Sequence, residues 1–298
     1  MMKKRRAVPA LVLALSLFMG LAGQGTAKIF ENLTRGGRAL GLGGAYTAGS
    51  GSDSLFYNIA GMRSIKGVEA GFSFQPGGFS DDLTTLSGSI VVSLPAVSAG
   101  GYLNILTLDG FTTETTVVAG AAIDLPVLKG IFKRFSVGVA ARLYLMSKDF
   151  TLAAEKGSDS ATSVDLGVQA QVGEWFVVAL SALNILSPEL SYYDGEAGTG
   201  EATDREVRVG FRLNLLKEFA VYGDYAFYAA VDSDIGVKGL HLGAEIVFYD
   251  VFRMRFGMDE GDLTFGAGIA ANYIDVNFAL KAKGVLGLYY QAGVVVKL

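Results

Sequence analysis

The sequence predicts an all-β membrane protein: a transmembrane antiparallel up-and-down β-barrel of about fourteen strands, with a small N-terminal hatch in the lumen. Three observations predict it. Apolar and polar residues alternate in segments of roughly ten to fourteen, whereas strands of soluble proteins average about five or six. The connections between these segments alternate between tight turns and longer polar loops. The last segment, Leu286–Leu298, carries an apolar face with nothing downstream to cover it.

The elements follow in chain order. Lys3-Lys4-Arg5-Arg6 is a positive cluster, Ala7–Leu21 is apolar, and Gly25-Thr26-Ala27 supplies small residues before a cut. That is the layout of a cleaved secretory signal peptide, and the apolar run of about fifteen residues is shorter than the roughly twenty a spanning helix needs. Residues 1–27 are therefore expected to be the signal peptide, 28–65 an N-terminal segment, and 66–298 the barrel. A retained single-helix anchor is the other reading of residues 1–27. Beyond Ala27, charged and small residues interrupt every apolar run before it reaches spanning-helix length.

Strands are expected near 66–75, 84–94, 97–107, 113–125, 134–147, 161–172, 175–186, 204–215, 218–230, 237–249, 251–258, 262–271, 273–283 and 286–298. Counts of twelve or sixteen stay open. Side chains two apart in a strand share a face. Val207, Val209, Phe211 and Leu213 thus oppose Arg208, Gly210, Arg212 and Asn214, and Phe252, Met254, Phe256 and Met258 oppose Arg253, Arg255 and Gly257. In the final strand Leu288, Tyr290, Val294 and Leu298 are expected to meet lipid, while Gln291 and Lys297 look inward. Tight turns at 94–97, 173–174, 216–217, 250 and 272 follow even-numbered strands, with 125–134 as a longer exception. Loops at 76–83, 148–160, 187–203 and 231–236 follow odd-numbered ones. Short turns at one rim and long loops at the other put both termini in the periplasm. Closure follows from the solvent, because a backbone in lipid tolerates no unpaired edge. The expected closing pair is 66–75 with the final strand.

The strand faces assign Arg142, Asp165, Arg208, Arg212, Asp224, Glu245, Arg253, Arg255, Asp275 and Lys281 to the lumen. Both signs are present, so these residues can pair across the wall.

Residues 28–65 do not alternate. They are glycine-rich, and Phe56, Tyr57 and Met62 form an apolar cluster that needs cover, which suggests a plug inside the barrel. Arg38-Ala-Leu-Gly-Leu-Gly-Gly-Ala-Tyr-Thr-Ala48 followed by Asp53-Ser-Leu-Phe-Tyr-Asn-Ile-Ala-Gly-Met62 resembles the N-terminal signature of the FadL/PorV superfamily of outer-membrane barrels. The resemblance implies fourteen strands, a luminal hatch and a location in the bacterial outer membrane among its lipids. Family members usually carry Asn-Pro-Ala-Gly where this chain has Asn58-Ile59-Ala60-Gly61, and many barrels end in an aromatic where this one ends in Leu298. FadL-like members pass hydrophobic, fatty-acid-like molecules and release them through a wall gap near a kinked third strand. PorV- and PorQ-like members serve protein secretion and surface assembly. The resemblance makes Phe56, Tyr57, Asn58, Gly61 and Met62 candidate hatch and ligand contacts. Gly100 and Gly101 in the third strand are candidates for a lateral opening, or for an ordinary close approach.

The remaining chemistry is sparse. The net charge of −4 and the lack of a basic stripe leave no nucleic-acid surface. With no cysteine and a single histidine, His241, the chain lacks disulfides, cysteine–metal clusters and paired-histidine sites. Gly266–Ala271 matches a dinucleotide fingerprint loosely but sits inside an expected strand. Asp232–Gly236 resembles a fragment of a calcium loop without its remaining ligands, and Asp259–Asp262 reads as a polar turn. No Gly-x-Ser-x-Gly elbow occurs. No enzyme, cofactor or metal site is expected. The leading expectation is passage of a hydrophobic small molecule; the alternatives are a secretion scaffold with protein partners and a general diffusion porin.

Overall fold

The computed structural model describes residues 36–77, 83–126, 130, 132–150, 155–191, 200–229, 235–282 and 287–298. The expected signal peptide (1–27), the first part of the hatch (28–35) and the loop carboxylates Asp232 and Asp234 lie outside the described residues.

Fourteen antiparallel strands close into a barrel. They are β1 (Gly67–Pro76), β2 (Leu83–Ser93), β3 (Val97–Leu108), β4 (Thr112–Asp124), β5 (Arg134–Phe150), β6 (Glu155–Val172), β7 (Phe176–Leu183), β10 (Arg205–Asn214), β11 (Phe219–Ala229), β12 (Ile235–Phe248), β13 (Phe252–Asp259), β14 (Asp262–Ala270), β15 (Ile274–Ala282) and β16 (Leu288–Lys297). A separate two-stranded ribbon, β8 (Glu189–Ser191) with β9 (Gly200–Ala202), interrupts the connection from β7 to β10. The ring closes between β1 and β16, with Glu69 opposite Lys297 and Phe74 opposite Ala292. This is the expected closing pair. Leu298 extends the closure by exchanging two backbone hydrogen bonds with Val68, at 2.8 and 2.9 Å.

Alternation sorts the two faces as the sequence predicts. Outward Phe72, Ile90, Val139, Ile269 and Leu288 are each more than half exposed, while inward Ser73, Val91, Ala140, Ala270 and Tyr289 on the same strands are buried. An apolar belt of this extent in water would cost roughly 25 cal/mol per Å² of exposed surface. Lipid is the solvent that removes this cost, and the closed ring leaves no unpaired edge within it. No helix among the described residues is long and apolar enough to cross a membrane, so the crossing is made by strands.

Three expected boundaries shift. The loop expected at 148–160 is mostly strand: β5 runs to Phe150 and β6 starts at Glu155. Both faces there are polar, so the ladder continues without the period-two signal that marks a strand in sequence. Strand β7 stops at Leu183 rather than 186, because Asn184 turns into the left-handed region (φ 57). The loop expected at 187–203 contains the small ribbon. Not every connection at the loop-bearing rim is long, since β13 and β14 are joined by Glu260 and Gly261 alone.

Candidate functional site

The lumen is filled by residues 36–65, which make two short helices, α1 (Gly37–Gly41) and α2 (Ser54–Tyr57), and a 3-10 helix, Ile59–Ser64. Each is too short to be stable alone, so tertiary packing must hold it. Leu42, Leu55, Ile59 and Met62 are almost fully buried, which contributes about 1.5–3 kcal/mol per side chain. Between the helices the chain reverses at Gly43 (φ 66) and Gly44 (φ 75). A side chain at Gly43 would fall 2.5 Å from the Leu242 and Met258 carbonyl oxygens, so only glycine fits.

The wall receives this plug in a belt of inward-facing glycines. A Cβ on Gly138 of β5 would lie 2.6 Å from Ile59 Cγ2; on Gly243 of β12, 2.5 Å from the Leu42 carbonyl oxygen; on Gly266 of β14, 3.0 Å from Gly41 Cα. Gly167 of β6 faces Asn58, Gly210 of β10 faces Thr47, and Gly257 of β13 faces Gly43. Ile59, where the resembling family carries proline, fills the dent between Gly138 and Gly167.

The expected hatch residues lie together here. Asn58 Oδ1 accepts from Ala60 N (3.1 Å), starting the 3-10 helix, and its amide nitrogen donates to the carbonyls of Thr47 (3.1 Å) and Val168 (2.9 Å). Tyr57 packs edge-on against Tyr46 with ring centroids 5.4 Å apart, and the Arg208 guanidinium lies 5.3 Å from its ring centre. Phe56 meets Tyr102 of β3 edge to face. A Cβ on Gly61 would sit 2.7 Å from Ser54 Cβ, so α2 and the 3-10 helix approach closely there. Met62 is fully buried, its sulfur near Gly100.

Gly100 faces inward beneath Met62, and Gly101 faces outward. The β3 ladder runs through both residues to β2 and β4 without a register shift, so no bulge interrupts the pairing there.

The ten expected luminal charges all point inward, and they divide by what they hold. One group fastens the plug. Asp224 Oδ2 accepts from Tyr46 N (2.8 Å), Thr47 N (2.8 Å), Thr47 Oγ1 (2.7 Å) and Arg208 Nη2 (3.3 Å). Arg208 also donates to the Gly44 carbonyl (2.8 Å) and pairs with Glu206 (3.1 Å). Glu245 is shared by Arg38 of the plug (2.8 Å) and Arg255 of β13 (2.7 Å). Arg212 reaches Ser50 Oγ at 3.4 Å. The other group ties wall to wall: Arg142 with Asp165 (2.6 Å), Arg253 with Asp275 (3.1 Å) and Lys281 with Asp259 (2.8 Å).

The sequence reading missed several contributors. Arg38, Glu206 and Glu69 (which accepts from Ser52 N at 2.6 Å) are among them. His241 Nδ1 lies 2.8 Å from Asp259 Oδ1 and 3.1 Å from the Gly43 carbonyl oxygen, so Asp259 does more than serve a polar turn. The glycine belt was missed as well, although glycines at inward-facing strand positions were its signal. On the plug, burial pushes the Asp53 carboxyl up to about 6, and the negative charge of Glu69 adds to the effect.

The plug meets every strand of the barrel. In chain order it passes β15, β14, β13 and β12 through Gly37–Gly43, then β10, β11 and β7 through Gly44–Ala48. The helix Gly37–Gly41 also touches β16; the chain then crosses to β1 at Ser52, returns to β6 and β5 at Asn58 and Ile59, and ends against β2, β3 and β4 through Met62 and Arg63. A cavity of about 340 Å³ remains between plug and wall, lined by Arg38, Ser50, Asp53, Glu69, Asn277 and Lys297 among others. Beyond the plug the inner wall is mostly polar, with Glu114, Thr116, Lys148, Ser163 and Gln291 buried on it.

No family model matches the sequence, and no curated protein matches it. Solved structures do. CymD, described as a monoaromatic hydrocarbon channel, is similar at 13% identity and a TM-score of 0.62, covering 90% of this chain and 99% of its own. A Pseudomonas aeruginosa FadL homologue matches at 12% identity and a TM-score of 0.60, covering 89% and 98%. The toluene transporter TbuX of Ralstonia pickettii matches at 12% identity and a TM-score of 0.57, covering 90% and 98%. At these identities the likeness is one of fold, over nearly the full length of both chains. The fold is thus a plugged fourteen-strand barrel similar to those of FadL-type hydrocarbon channels.

Proposed function

We propose that this chain is an outer-membrane passage for hydrophobic small molecules, of the aromatic-hydrocarbon or fatty-acid-like kind, with both termini in the periplasm. The observation that carries the proposal is the plug that touches all fourteen strands, in a barrel whose solved fold-mates include a hydrocarbon channel and a toluene transporter. A plug packed against every strand would hinder the steady flow of water and ions, and in this reading transit requires a bound molecule and a displaced plug. Phe56, Tyr57, Tyr102 and Met62 form a buried apolar cluster between plug and wall, and displacement of the plug would open it to a hydrocarbon. Withdrawal of Met62 from Gly100 leaves a hollow beside β3, because Gly100 has no side chain to fill it.

The test uses the full mature chain in liposomes. Uptake of toluene and of a long-chain fatty acid is compared with uptake of glucose, and planar-bilayer conductance is recorded alongside. The proposal expects saturable uptake of at least one apolar compound, no glucose flux and little steady conductance. Glucose flux with steady ohmic conductance would make the protein a general porin instead.

A further inference from the structure

The outer wall of the barrel carries a patch of hydroxyls at the edge of its apolar belt. Near the loop-bearing rim, the strand register aligns Thr84 of β2, Thr107 of β3, Thr113 of β4, Ser147 of β5 and Ser158 of β6 in one row. Thr85, Asn104, Glu114, Lys148 and Ser163 are buried on the inner face of the same strands, so parity turns all five hydroxyls outward. One row further from the rim stand Leu86, Ile105, Thr115, Leu145 and Ser160, and the next holds Leu103, Val117 and Leu143. Across the barrel, the outward row nearest the same rim is Met258, Leu263, Ala282 and Leu288, all apolar. The hydroxyls therefore mark one side of the wall and not the rim as such.

A groove of about 480 Å³ lies over β4, β5 and β6, lined by Thr113, Thr115, Leu145, Ser147, Ser158 and Ser160 among others. Small-molecule sites span roughly 300–1,000 Å³, so it has room for a ligand. None of its five hydroxyls has a hydrogen-bond partner among the described residues. A hydroxyl turned into hydrocarbon without a partner is costly, so each needs a polar neighbour at that depth. A surface built for water alone mixes charges of both signs, yet the two outermost rows carry none. Each hydroxyl both donates and accepts, which matches a sugar hydroxyl that does the same. The groove's one charged lining residue is Asp159, and a carboxylate disfavours a phosphate beside it. Beneath the hydroxyls, Leu103, Val117 and Leu143 continue the lipid-facing belt without a break. The fitting partner has neutral hydroxyls at one end and alkyl chain at the other.

We propose that this groove binds the sugar headgroup of a membrane glycolipid, whose acyl chains lie over Leu103, Val117 and Leu143. The inference goes beyond the passage proposed above and is independent of what the barrel carries. Thr113, Ser147 and Ser158 face the sugar from three adjacent strands, and Leu145 packs beneath it where headgroup gives way to chain.

The full mature chain in phosphatidylcholine nanodiscs, with 13C-labelled threonine methyl groups, reports on the groove directly. The Thr113 resonance is assigned by comparison with Thr113→Val, and monoglucosyl diacylglycerol at rising mole fraction is the probe. The Thr113 signal is expected to shift saturably with this lipid and to stay in place with phosphatidylglycerol. In a Ser147→Ala, Ser158→Ala variant, which keeps the labelled threonine, the half-saturating fraction should rise about tenfold through the loss of two hydrogen-bonding groups. Heat-modifiable gel mobility checks that the variant keeps its barrel. A Thr113 signal that the glucolipid leaves unmoved, or that phosphatidylglycerol moves equally, overturns the proposal. So does a half-saturation unchanged in the double variant. An equal shift from free glucose at the same concentration would assign the groove to a soluble sugar and overturn the glycolipid.

Discussion

Asp224 shows how one side chain can anchor a plug. A single carboxylate oxygen collects two backbone N–H groups, a hydroxyl and a guanidinium, all buried. Removing it leaves Arg208 next to a lost partner and strips the 46–47 turn of its acceptor. Asp224→Ala is expected to cost about 3–5 kcal/mol, the range for breaking one side of a buried charge network. A urea titration followed by the folded-to-unfolded gel shift measures it. Asp53 gives a pH signature. Its folded value, about 6, lies above the ordinary carboxylate value of 3.8, so the folded state binds more protons than the unfolded state between those values. Stability from this group is fully present below about pH 4 and falls as the pH rises through 6. Asp53→Asn should abolish its contribution to that slope, seen as a flatter melting profile from pH 4 to 7 than the wild type shows. The sequence placed Asp224 and Glu245 in the lumen through strand parity. It did not name Arg38 or Thr47 as what they hold, because parity fixes a face and not a partner across nearly two hundred residues of chain.

At the level of elements, the plug and its glycine belt form one unit. Each short helix lacks the length to persist alone, and each wall glycine weakens its own strand. The two deficits offset each other where the plug seats. Gly138→Val would put its Cβ 2.6 Å from Ile59 Cγ2 and 3.1 Å from Ala60 N, with a backbone on one side that cannot yield. Overpacking of this kind costs about 1–3 kcal/mol. The expected outcome is a loosened plug, recorded as intermittent conductance steps in planar bilayers where the wild type is quiet. The elements legible in sequence were those with one face in lipid: β10, β13, β15 and β16 show period-two patterning that the structure reproduces. The extended ends of β5 and β6 were illegible for the opposite reason. Lys148, Asp149 and Glu155–Ser160 continue a strand with both faces polar, and no difference between faces remains to be read.

On the scale of the whole molecule, β16 turns an apolar face outward as its neighbours do, and it pairs with β1 to close the ring. Closure was readable because a backbone in lipid tolerates no unpaired edge, whereas the strand number came from counting alternating segments and the plug from the one segment that does not alternate. Cargo identity was not, since the lumen wall beyond the plug is polar and its few apolar side chains do not encode a ligand. If transit needs the plug to move, a tether between plug and wall must stop it. Ser52 Oγ lies 2.9 Å from where a Cβ on Gly71 would be, and the chain has no cysteine to interfere. In a Ser52→Cys, Gly71→Cys variant, oxidation should join plug to β1. Toluene uptake into liposomes is then predicted to drop to the protein-free level and to recover when the disulfide is reduced. Full uptake by a completely cross-linked sample would mean that transit does not need the plug to move.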